Sequence, residues 1–215
     1  MVVEILIKRP IMIQVIKEET LNLSDSFIDL FKMVNDEKGH LFLTVQKELL
    51  KEHSLSIDKV AELLQTSKDE ANIISNQFGE KDEQGKIVAF AGLSLIPTNH
   101  SFRVDFKQFY TWCAADAIIF PQLLGVPANI QSKDPITGEE ITLSIWFNEI
   151  SRNSHKDIYI SWVDKIDQCD IRNSMCNRTH FFSSKNSASQ WQEKNTDARI
   201  FSVKRILKQV TLNEK

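Results

Sequence analysis

The stretch that decides the fold is 56–95, SIDKVAELLQTSKDEANIISNQFGEKDEQGKIVAFAGLSL. Its first half carries two runs of apolar residues at helical spacing, which predict a helix, a tight turn and a second helix. The apolar positions of the two runs are Ile57, Val60, Ala61, Leu64, Ala71, Ile73, Ile74 and Phe78. In its second half, Gln84-Gly85 separates a polar run from the β-rich run Ile87–Leu95, which predicts a hairpin turn.

The residues upstream of this stretch predict further helices. Ser24 and Asp25 can cap a helix that carries Phe27–Val34 and ends at Gly39, and Val45, Leu49 and Leu50 belong to a second helix. Three helices followed by a hairpin is the layout of a winged helix. We therefore predict a winged-helix-like helical domain over residues 22–98, preceded by an N-terminal extension, residues 1–21.

A winged helix raises the possibility of DNA binding, because a recognition helix would enter the major groove. The helix in that place, SKDEANIISNQF, has one lysine and no arginine, and it carries Asp69 and Glu70. DNA-binding proteins depend on lysine and arginine for their phosphate contacts. The chain also has a net charge of −3 and a pI near 6.0. These features favour a packing or substrate-covering module and predict no nucleic-acid partner.

The remaining residues, 99–215, mix strand and helix signals. Strands are predicted at 128–131, 141–147 and 157–163, with another at 178–183 after Cys176. Phe109–Leu124 is predicted to be a helix that stops at Gly125. Helix and strand alternate without regular βαβ spacing, so the fold class is α+β, with a mixed, largely antiparallel sheet and helix core over 99–215.

The cysteine content and the N-terminus indicate the compartment. Three cysteines without a CxxC motif are too few for a disulfide scaffold, which favours free thiols in a reducing compartment. The start, MVVEILIKRPIMIQVIKEE, has charges inside its apolar run and no cleavage signal, and its apolar patches are too short to span a bilayer. We expect a cytoplasmic protein with no membrane partner. Cys169, in the polar segment DQCDIRN, is interpreted as incidental.

Two residues of the segment TWCAADAIIFPQLLG could carry chemistry. Cys113 and Asp116 are three residues apart, which places them on one face of a helix. Burial among apolar neighbours would raise the pKa of Asp116 and favour an acid that can donate a proton. The alternative is structural: a free cysteine is often a small buried apolar residue, and the aspartate could cap a loop.

A third candidate, Cys176, lies in RNSMCNRTHFF. His180 follows it by four residues, but in a strand the two side chains would lie about 13 Å apart. The local sequence therefore does not support a Cys–His nucleophile pair.

Taken together, these segments resemble the organomercurial (alkylmercury) lyase family. Its W-C-A-x-D-x-x-I-F-P block is matched by Trp112, Cys113, Ala114, Asp116, Ile119, Phe120 and Pro121. Its R-x-S-x-C block with a following H-F-F is matched by Arg172, Ser174, Cys176, His180, Phe181 and Phe182. The piece D-E-x-G-x-I-V at Asp82–Val88 is also similar, so the resemblance covers roughly residues 24–205. Many members have a further cysteine at the place of Asp134 and an adjacent one at the place of Asn177.

The resemblance implies an enzyme that cleaves the carbon–mercury bond of alkyl- or arylmercury by protonolysis, giving a hydrocarbon and Hg(II). Soft thiolates of Cys113 and Cys176 would bind mercury, and Asp116 would contact the metal and relay the proton to carbon. It implies no cofactor, and low-molecular-weight thiols or a mercuric-ion reductase as Hg(II) acceptor. The order in which the cysteines attack stays open. The alternative is a non-catalytic thiol-based mercury-binding protein of the same fold.

Overall fold

The computed structural model of the chain describes residues 12–15, 36–163, 167 and 170–213, with side chains described over 36–163, 167 and 170–208. The helix predicted at Phe27–Val34 and the interpretation of Cys169 lie outside these residues. A short antiparallel ladder joins β1, Met12–Val15, to the last strand, β13, Val210–Asn213.

Three helices precede the main sheet: α1 Glu37–Lys51, α2 Ile57–Leu63 and α3 Lys68–Phe78. Each begins after a residue whose side chain accepts a hydrogen bond from the backbone N–H three positions on, which satisfies one unpaired donor of the first turn. These caps are Asp36, Ser56 and Ser67. The predicted helix, turn and helix over 56–78 are therefore confirmed.

Two details of the helical prediction were wrong. Gly39 does not end a helix; it lies in the first turn of α1, and its backbone N–H donates to the cap Asp36. Ile73, predicted on the buried side of its helix, is 67% exposed, whereas Ala71 in the same helix is fully buried. The apolar residues of α3 therefore do not all face the core.

The main sheet has eight strands in the order β2-β3-β4-β6-β5-β7-β8-β9, and every neighbouring pair is antiparallel. The strands are β2 Gly79–Lys81, β3 Ile87–Phe90, β4 Leu93–Ser94, β5 His100–Val104, β6 Lys107–Thr111, β7 Ala128–Lys133, β8 Glu140–Trp146 and β9 Glu149–Asn153. The largely antiparallel sheet of an α+β fold is thus confirmed. The predicted turn at Gly85 joins β2 to β3, and Gly85 adopts φ +75°.

The predicted β-rich run Ile87–Leu95 is two antiparallel strands, β3 and β4, because a turn interrupts it. Phe90 pairs with Leu93, which leaves the two-residue turn Ala91-Gly92. Both turn residues have positive φ, 47° for Ala91 and 96° for Gly92. Positive φ at both central positions is typical of a type I′ hairpin, whose twist matches that of the flanking strands.

The central helix is shorter than the predicted Phe109–Leu124. Phe109 belongs to β6, which pairs with β4 and β5, and helix α4 runs from Ala114 to Leu124. Cys113 is its N-cap, and Gly125 with φ +68° ends it. Ten of its eleven residues are buried, so the helix is apolar all round, which is typical of a core helix.

A second, three-stranded sheet completes the fold, in the order β11-β10-β12. Its strands are β10 Tyr159–Val163, β11 Phe181–Phe182 and β12 Ala198–Ser202. The helices around it are α5 Ile171–Ser174, α6 Lys185–Glu193 and α7 Val203–Gln209. The strand predicted over 178–183 is mostly wrong, because Cys176–Arg178 form a 3-10 helix and only Phe181–Phe182 pair.

One continuous apolar core joins the helices and both sheets. It includes Leu49 of α1, Phe90 of β3, Ile118 of α4 and Trp162 of β10. Because α4 lies within this core, the N-terminus of the helix and Cys113 are packed among buried side chains. Within the described residues, no helix combines the length and the apolar character that crossing a membrane requires.

Candidate active site

Cys113 occupies the junction between β6 and α4 and is completely buried. Its carbonyl accepts a hydrogen bond from Thr111 Oγ1 at 2.9 Å. Its thiol donates to Asp116 Oδ2 at 3.2 Å. The predicted pairing of these two residues is therefore present, although Cys113 caps the helix and does not lie within it.

Asp116 lies in the first turn of α4, where a carboxylate is favoured by the positive end of the helix dipole. It is the one residue of the helix that is not fully buried, and it lines the cavity described below. Removal from water raises the pKa of Asp116 to about 7, against the opposing effect of hydrogen bonds from Cys113. The carboxyl group is therefore poised to take up and release a proton near neutral pH.

Cys176 opens the 3-10 helix after α5, and its side chain is 5% exposed at the cavity wall. The strand geometry predicted for Cys176 and His180 was wrong because the chain turns at residues 176–178. His180 is not among the residues that line the cavity; its ring packs edge-to-face against Trp191. A Cys–His pair is thus absent from this part of the described chain.

The two sulfur atoms and the carboxylate converge. One ligand atom each from Cys113, Asp116 and Cys176 lie within 4.8 Å of one another. Both cysteines are free thiols. Two thiols and one carboxyl in this space form a donor set that suits a soft metal ion, since thiolates prefer soft metals.

Backbone contacts hold the two cysteine segments together. The N–H of Ala114, next to Cys113, donates to the carbonyl of Thr179 at 3.2 Å. The hydroxyl of Thr179 donates to the carbonyl of Met175, next to Cys176, at 2.9 Å. Ser161 of β10 fixes the same segment, since its hydroxyl donates to the carbonyl of Arg178 and accepts from the N–H of His180.

The pKa of the Cys113 thiol lies well above its ordinary value. Burial is the main cause; the neighbouring thiol of Cys176 and the negative charge of Asp116 add to it. A buried thiolate without a metal would be costly because it has lost its hydration. Cys113 is therefore a thiol at neutral pH and needs a proton acceptor before it can bind a metal as a thiolate.

A cavity of about 460 Å³ opens onto this group. Asp116 and Cys176 line it, whereas Cys113 lies behind its wall. Its remaining surface is largely apolar, with contributions from α4 and from the helical region, which is defined here as α1, α2 and α3, residues 37–78. The apolar wall residues include Phe42, Leu43, Phe78, Ile119, Phe120, Leu123 and Met175.

Sequence reasoning missed the polar contacts at one side of this cavity. The guanidinium of Arg172 lies over the ring of Trp112, 4.8 Å from its centroid, and also forms an ion pair with Glu80 of β2. Arg172 and Trp112 belong to the recognised motifs, but the partner Glu80 is remote in sequence. No local pattern could have identified this three-residue contact.

Comparisons with known proteins show which sequences and structures this chain is similar to. The family model of alkylmercury lyase (MerB) matches residues 93–211. The alkylmercury lyases of Bacillus cereus and Clostridium butyricum are each 44% identical over 124 residues, 58% of this chain and 56% of their own length. The chain thus matches little more than half the length of these two relatives. The alkylmercury lyase of Pseudomonas putida is 34% identical over 158 residues, 73% of this chain and 74% of its own.

A solved structure gives the same fold. A crystal structure of the mercury-bound form of MerB2 superposes with a TM-score of 0.70 at 19% identity, covering 85% of this chain and 93% of that one. This likeness supports the architecture alone, whereas the match to the family model covers the residues of both cysteine segments. By the extent of the family match, the chain belongs to the alkylmercury lyase family.

Proposed function

We propose that the protein is an organomercurial lyase, which cleaves the carbon–mercury bond of alkyl- or arylmercury by protonolysis. The observation that carries the proposal is the convergence of two free thiols and one carboxyl within 4.8 Å beside an apolar cavity. The thiols suit mercury, the carboxyl can move a proton, and the cavity can take an organic group. Cys113, Asp116 and Cys176 are the residues to which we assign the reaction.

The first step is formation of a mercury–sulfur bond. Cys176 borders the cavity while Cys113 lies behind its wall, which favours Cys176 as the first thiol to meet R–Hg⁺. The thiolate donates an electron pair to mercury, and the thiol proton passes to solvent. The organic group then faces the apolar residues of the cavity.

The second step joins Cys113 to the same mercury and breaks the carbon–mercury bond. The proton of the Cys113 thiol passes to the Asp116 carboxylate, with which it is hydrogen-bonded, and from there to carbon. Carbon takes the electron pair of the Hg–C bond, so no oxidant or reductant is needed. In sum, R–Hg⁺ and two thiols give R–H, mercury held by two thiolates, and one proton.

Asp116 suits this relay because its pKa is raised to about 7 by burial. A general acid–base group works best when its pKa is near the working pH, where both protonation states are populated. A carboxyl with an ordinary pKa would be almost entirely ionised at neutral pH and would be a poor donor to carbon.

We propose further that no cofactor takes part and that Hg(II) leaves by exchange onto another thiol. Low-molecular-weight thiols or a mercuric-ion reductase are the expected acceptors, and both fit a cytoplasmic enzyme. The product is held by two buried thiolates, so an incoming thiol must replace them.

For residues 22–98 we propose a winged-helix-like domain that acts as the wall of the cavity, with 1–21 as an extension and 99–215 as the catalytic core. The order α1, α2, α3 and the β2–β3 hairpin supports this assignment. Phe42 of α1 and Phe78 of α3 line the cavity. A role in DNA binding is disfavoured because α3 contains one lysine, Lys68, and this side chain forms an ion pair with Asp58.

The second candidate function is a mercury-binding protein that uses the same thiols without cleaving a bond. The hydrogen bond between Asp116 and Cys113 favours the enzyme, since a metal trap needs no proton relay. The experiment that separates them supplies methylmercury to the purified protein in excess thiol and measures methane in the headspace. The lyase releases methane, and Cys113→Ser or Cys176→Ser abolishes it. Mercury binding without methane would select the trap.

A further inference from the structure

The turn Ala91-Gly92 between β3 and β4 lies directly against the carboxyl group of Asp116. A Cβ atom at Gly92 would lie 2.8 Å from Cγ and Oδ2 and 2.9 Å from Oδ1 of that side chain. These distances are far shorter than van der Waals contact. The Asp116 carboxylate therefore occupies the space that any side chain at residue 92 would need.

The turn is fixed on three sides. The N–H of Ala91 donates to the carbonyl of Phe78, at the end of α3, at 2.7 Å. The carbonyl of Ala91 accepts from the side-chain amide of Gln46, a buried residue of α1, at 2.7 Å. The carbonyl of Gly92 accepts from the N–H of Trp112, next to Cys113, at 2.8 Å.

These bonds hold a conformation that an alanine adopts rarely. Ala91 has φ 47°, which costs a non-glycine residue free energy unless its surroundings fix it. Gln46 and Phe78 supply that fixation. Because Gln46 and Phe78 come from the helical region, two helices outside the region of the family match set the position of the turn.

We propose that Gly92, held in place by Gln46, is a positioning residue for the Asp116 carboxylate. The absent side chain leaves the space that the carboxylate occupies while it accepts the hydrogen bond from Cys113, and the fixed turn keeps that space open. The helical region thus contributes to the proton relay as well as to the cavity wall. This inference rests on the proposed lyase function for its kinetic consequence.

The test is Gly92→Ala. The added methyl group must displace the carboxylate, and a displacement of about 1 Å in a positioned group can reduce turnover by about 100-fold. We expect kcat for phenylmercury cleavage to fall by about that factor while KM changes little. Binding of Hg²⁺, followed by the thiolate–mercury absorbance, should keep its stoichiometry, because both sulfur atoms remain in place.

Gly85→Ala is the matched control. Gly85 has φ +75° in the β2–β3 turn, and a Cβ there would meet no atom within 4 Å. The substitution imposes similar backbone strain without contact with Asp116. We expect a small decrease in Tm and an unchanged kcat; an equal loss of kcat in both variants would overturn the proposal.

A double variant separates positioning from general damage. In an Asp116→Asn background, Gly92→Ala should cause no further loss of kcat, because the group on which it acts is gone. A full additional loss would overturn the proposal. If Gly92→Ala fails to fold, Gln46→Met provides the test: it keeps the volume but removes the donor to Ala91, and we expect a several-fold fall in kcat. An unchanged kcat in Gln46→Met would count against the proposal.

Crystal structures of the wild type and Gly92→Ala make the inference independent of turnover. The distance between Cys113 Sγ and Asp116 Oδ2, 3.2 Å here, should lengthen beyond hydrogen-bond range in the variant. An unchanged distance would refute the positioning role. If the wild type binds mercury but releases no hydrocarbon, the proposed function fails, and the crystallographic distance alone then decides the role of Gly92.

Discussion

Two aspartates withdrawn from bulk water, Asp116 and Asp134, have opposite surroundings. Asp116 accepts a hydrogen bond from a thiol and lies against the Cα of a glycine. Asp134, which is 1% exposed, accepts from three backbone N–H groups and two hydroxyls. The donors to Asp134 are the N–H groups of Ile136, Thr137 and Ser183 and the hydroxyls of Ser183 and Ser187.

The pKa values of the two carboxyls move in opposite directions. Burial raises the pKa of Asp116 to about 7, because few groups replace the water it has lost. Burial would also raise the pKa of Asp134, but hydrogen bonds from Ser187, Ser183 and the turn outweigh it and lower that pKa. The supply of donors, not burial by itself, decides whether a carboxyl becomes an acid or a fixed anion.

The two roles follow from this difference. Asp134 joins the turn after β7 to the first turn of α6, where the helix dipole adds to the stabilisation of its charge. It therefore acts as a structural anchor. Asp116, short of donors and beside a thiol, has the properties of a proton relay.

The largest expected effect comes from Asp116→Asn. The amide keeps the size of the side chain but cannot carry a proton, so hydrocarbon release should fall by at least about 100-fold. Mercury binding through the two thiols should persist. Gas chromatography of methane and a mercury titration measure the two properties separately. Turnover equal to that of the wild type would remove Asp116 from the mechanism.

Asp134→Asn should instead affect stability. It leaves donors of the turn and α6 without a charged acceptor, and we expect a loss of about 3 kcal/mol in the free energy of unfolding. Urea denaturation at pH 7 measures this loss. The control is Asp58→Asn, whose exposed pair with Lys68 should contribute less than about 1 kcal/mol. At urea concentrations below its unfolding transition, the Asp134 variant should retain wild-type turnover. Loss of turnover under these conditions would show that Asp134 is not only a structural anchor.

The sequence predicted one of these roles better than the other. The i, i+3 spacing of Cys113 and Asp116 is local, so it could be derived without a structure. The third group, Cys176, could be added only through the family resemblance, because 62 residues intervene. The donors Ser183 and Ser187 are 49 and 53 residues from Asp134, so no pattern in the sequence indicated that contact.

The fold shows the same division between features with local sequence signals and features that depend on contacts remote in sequence. Helices with clear spacing and serine caps, such as α2 and α3, were predicted correctly because their signals are local. The start of α4 was misplaced because Phe109 belongs to an apolar run in which the spacing of the apolar residues does not distinguish a strand from a helix. The turn Ala91-Gly92 was hidden inside a β-rich run, although a glycine within such a run can mark a turn or a close backbone approach. Its contact with Asp116 depends on tertiary structure.

The pH dependence of stability provides a third test of the contrast. The folded-state pKa of Asp116, about 7, exceeds its unfolded value near 3.9, so the unfolded state loses its proton first as pH rises. The wild type should therefore lose stability relative to Asp116→Asn between about pH 4 and 7. Over this pH range, we expect the free energy of unfolding of the wild type to fall by about 2 kcal/mol relative to that of Asp116→Asn. This value allows for water that reaches the carboxyl from the cavity.

Denaturation of both proteins at pH 5, 6, 7 and 8 measures this difference. Burial lowers the pKa of His100 to about 3, which makes stability rise with pH over about 3 to 6.5, but both proteins share this effect and it cancels. For Asp134, whose pKa is lowered, the sign is reversed: its contribution is present above about pH 4 and is lost at lower pH. A pH-independent difference between wild type and Asp116→Asn would show that Asp116 has an ordinary pKa.

The smallest effect should come from Ser187→Ala, which removes one donor from the anchor. The hydroxyl of Ser187 is buried and donates to Asp134, so its loss should cost about 1 kcal/mol in the free energy of unfolding. Ser189→Ala on the same helix, at an exposed position, is the matched control and should be nearly neutral. If Ser187→Ala cost as much as Asp134→Asn, the five donors would act as one cooperative network, and the low pKa of Asp134 would depend on their arrangement more than on their number.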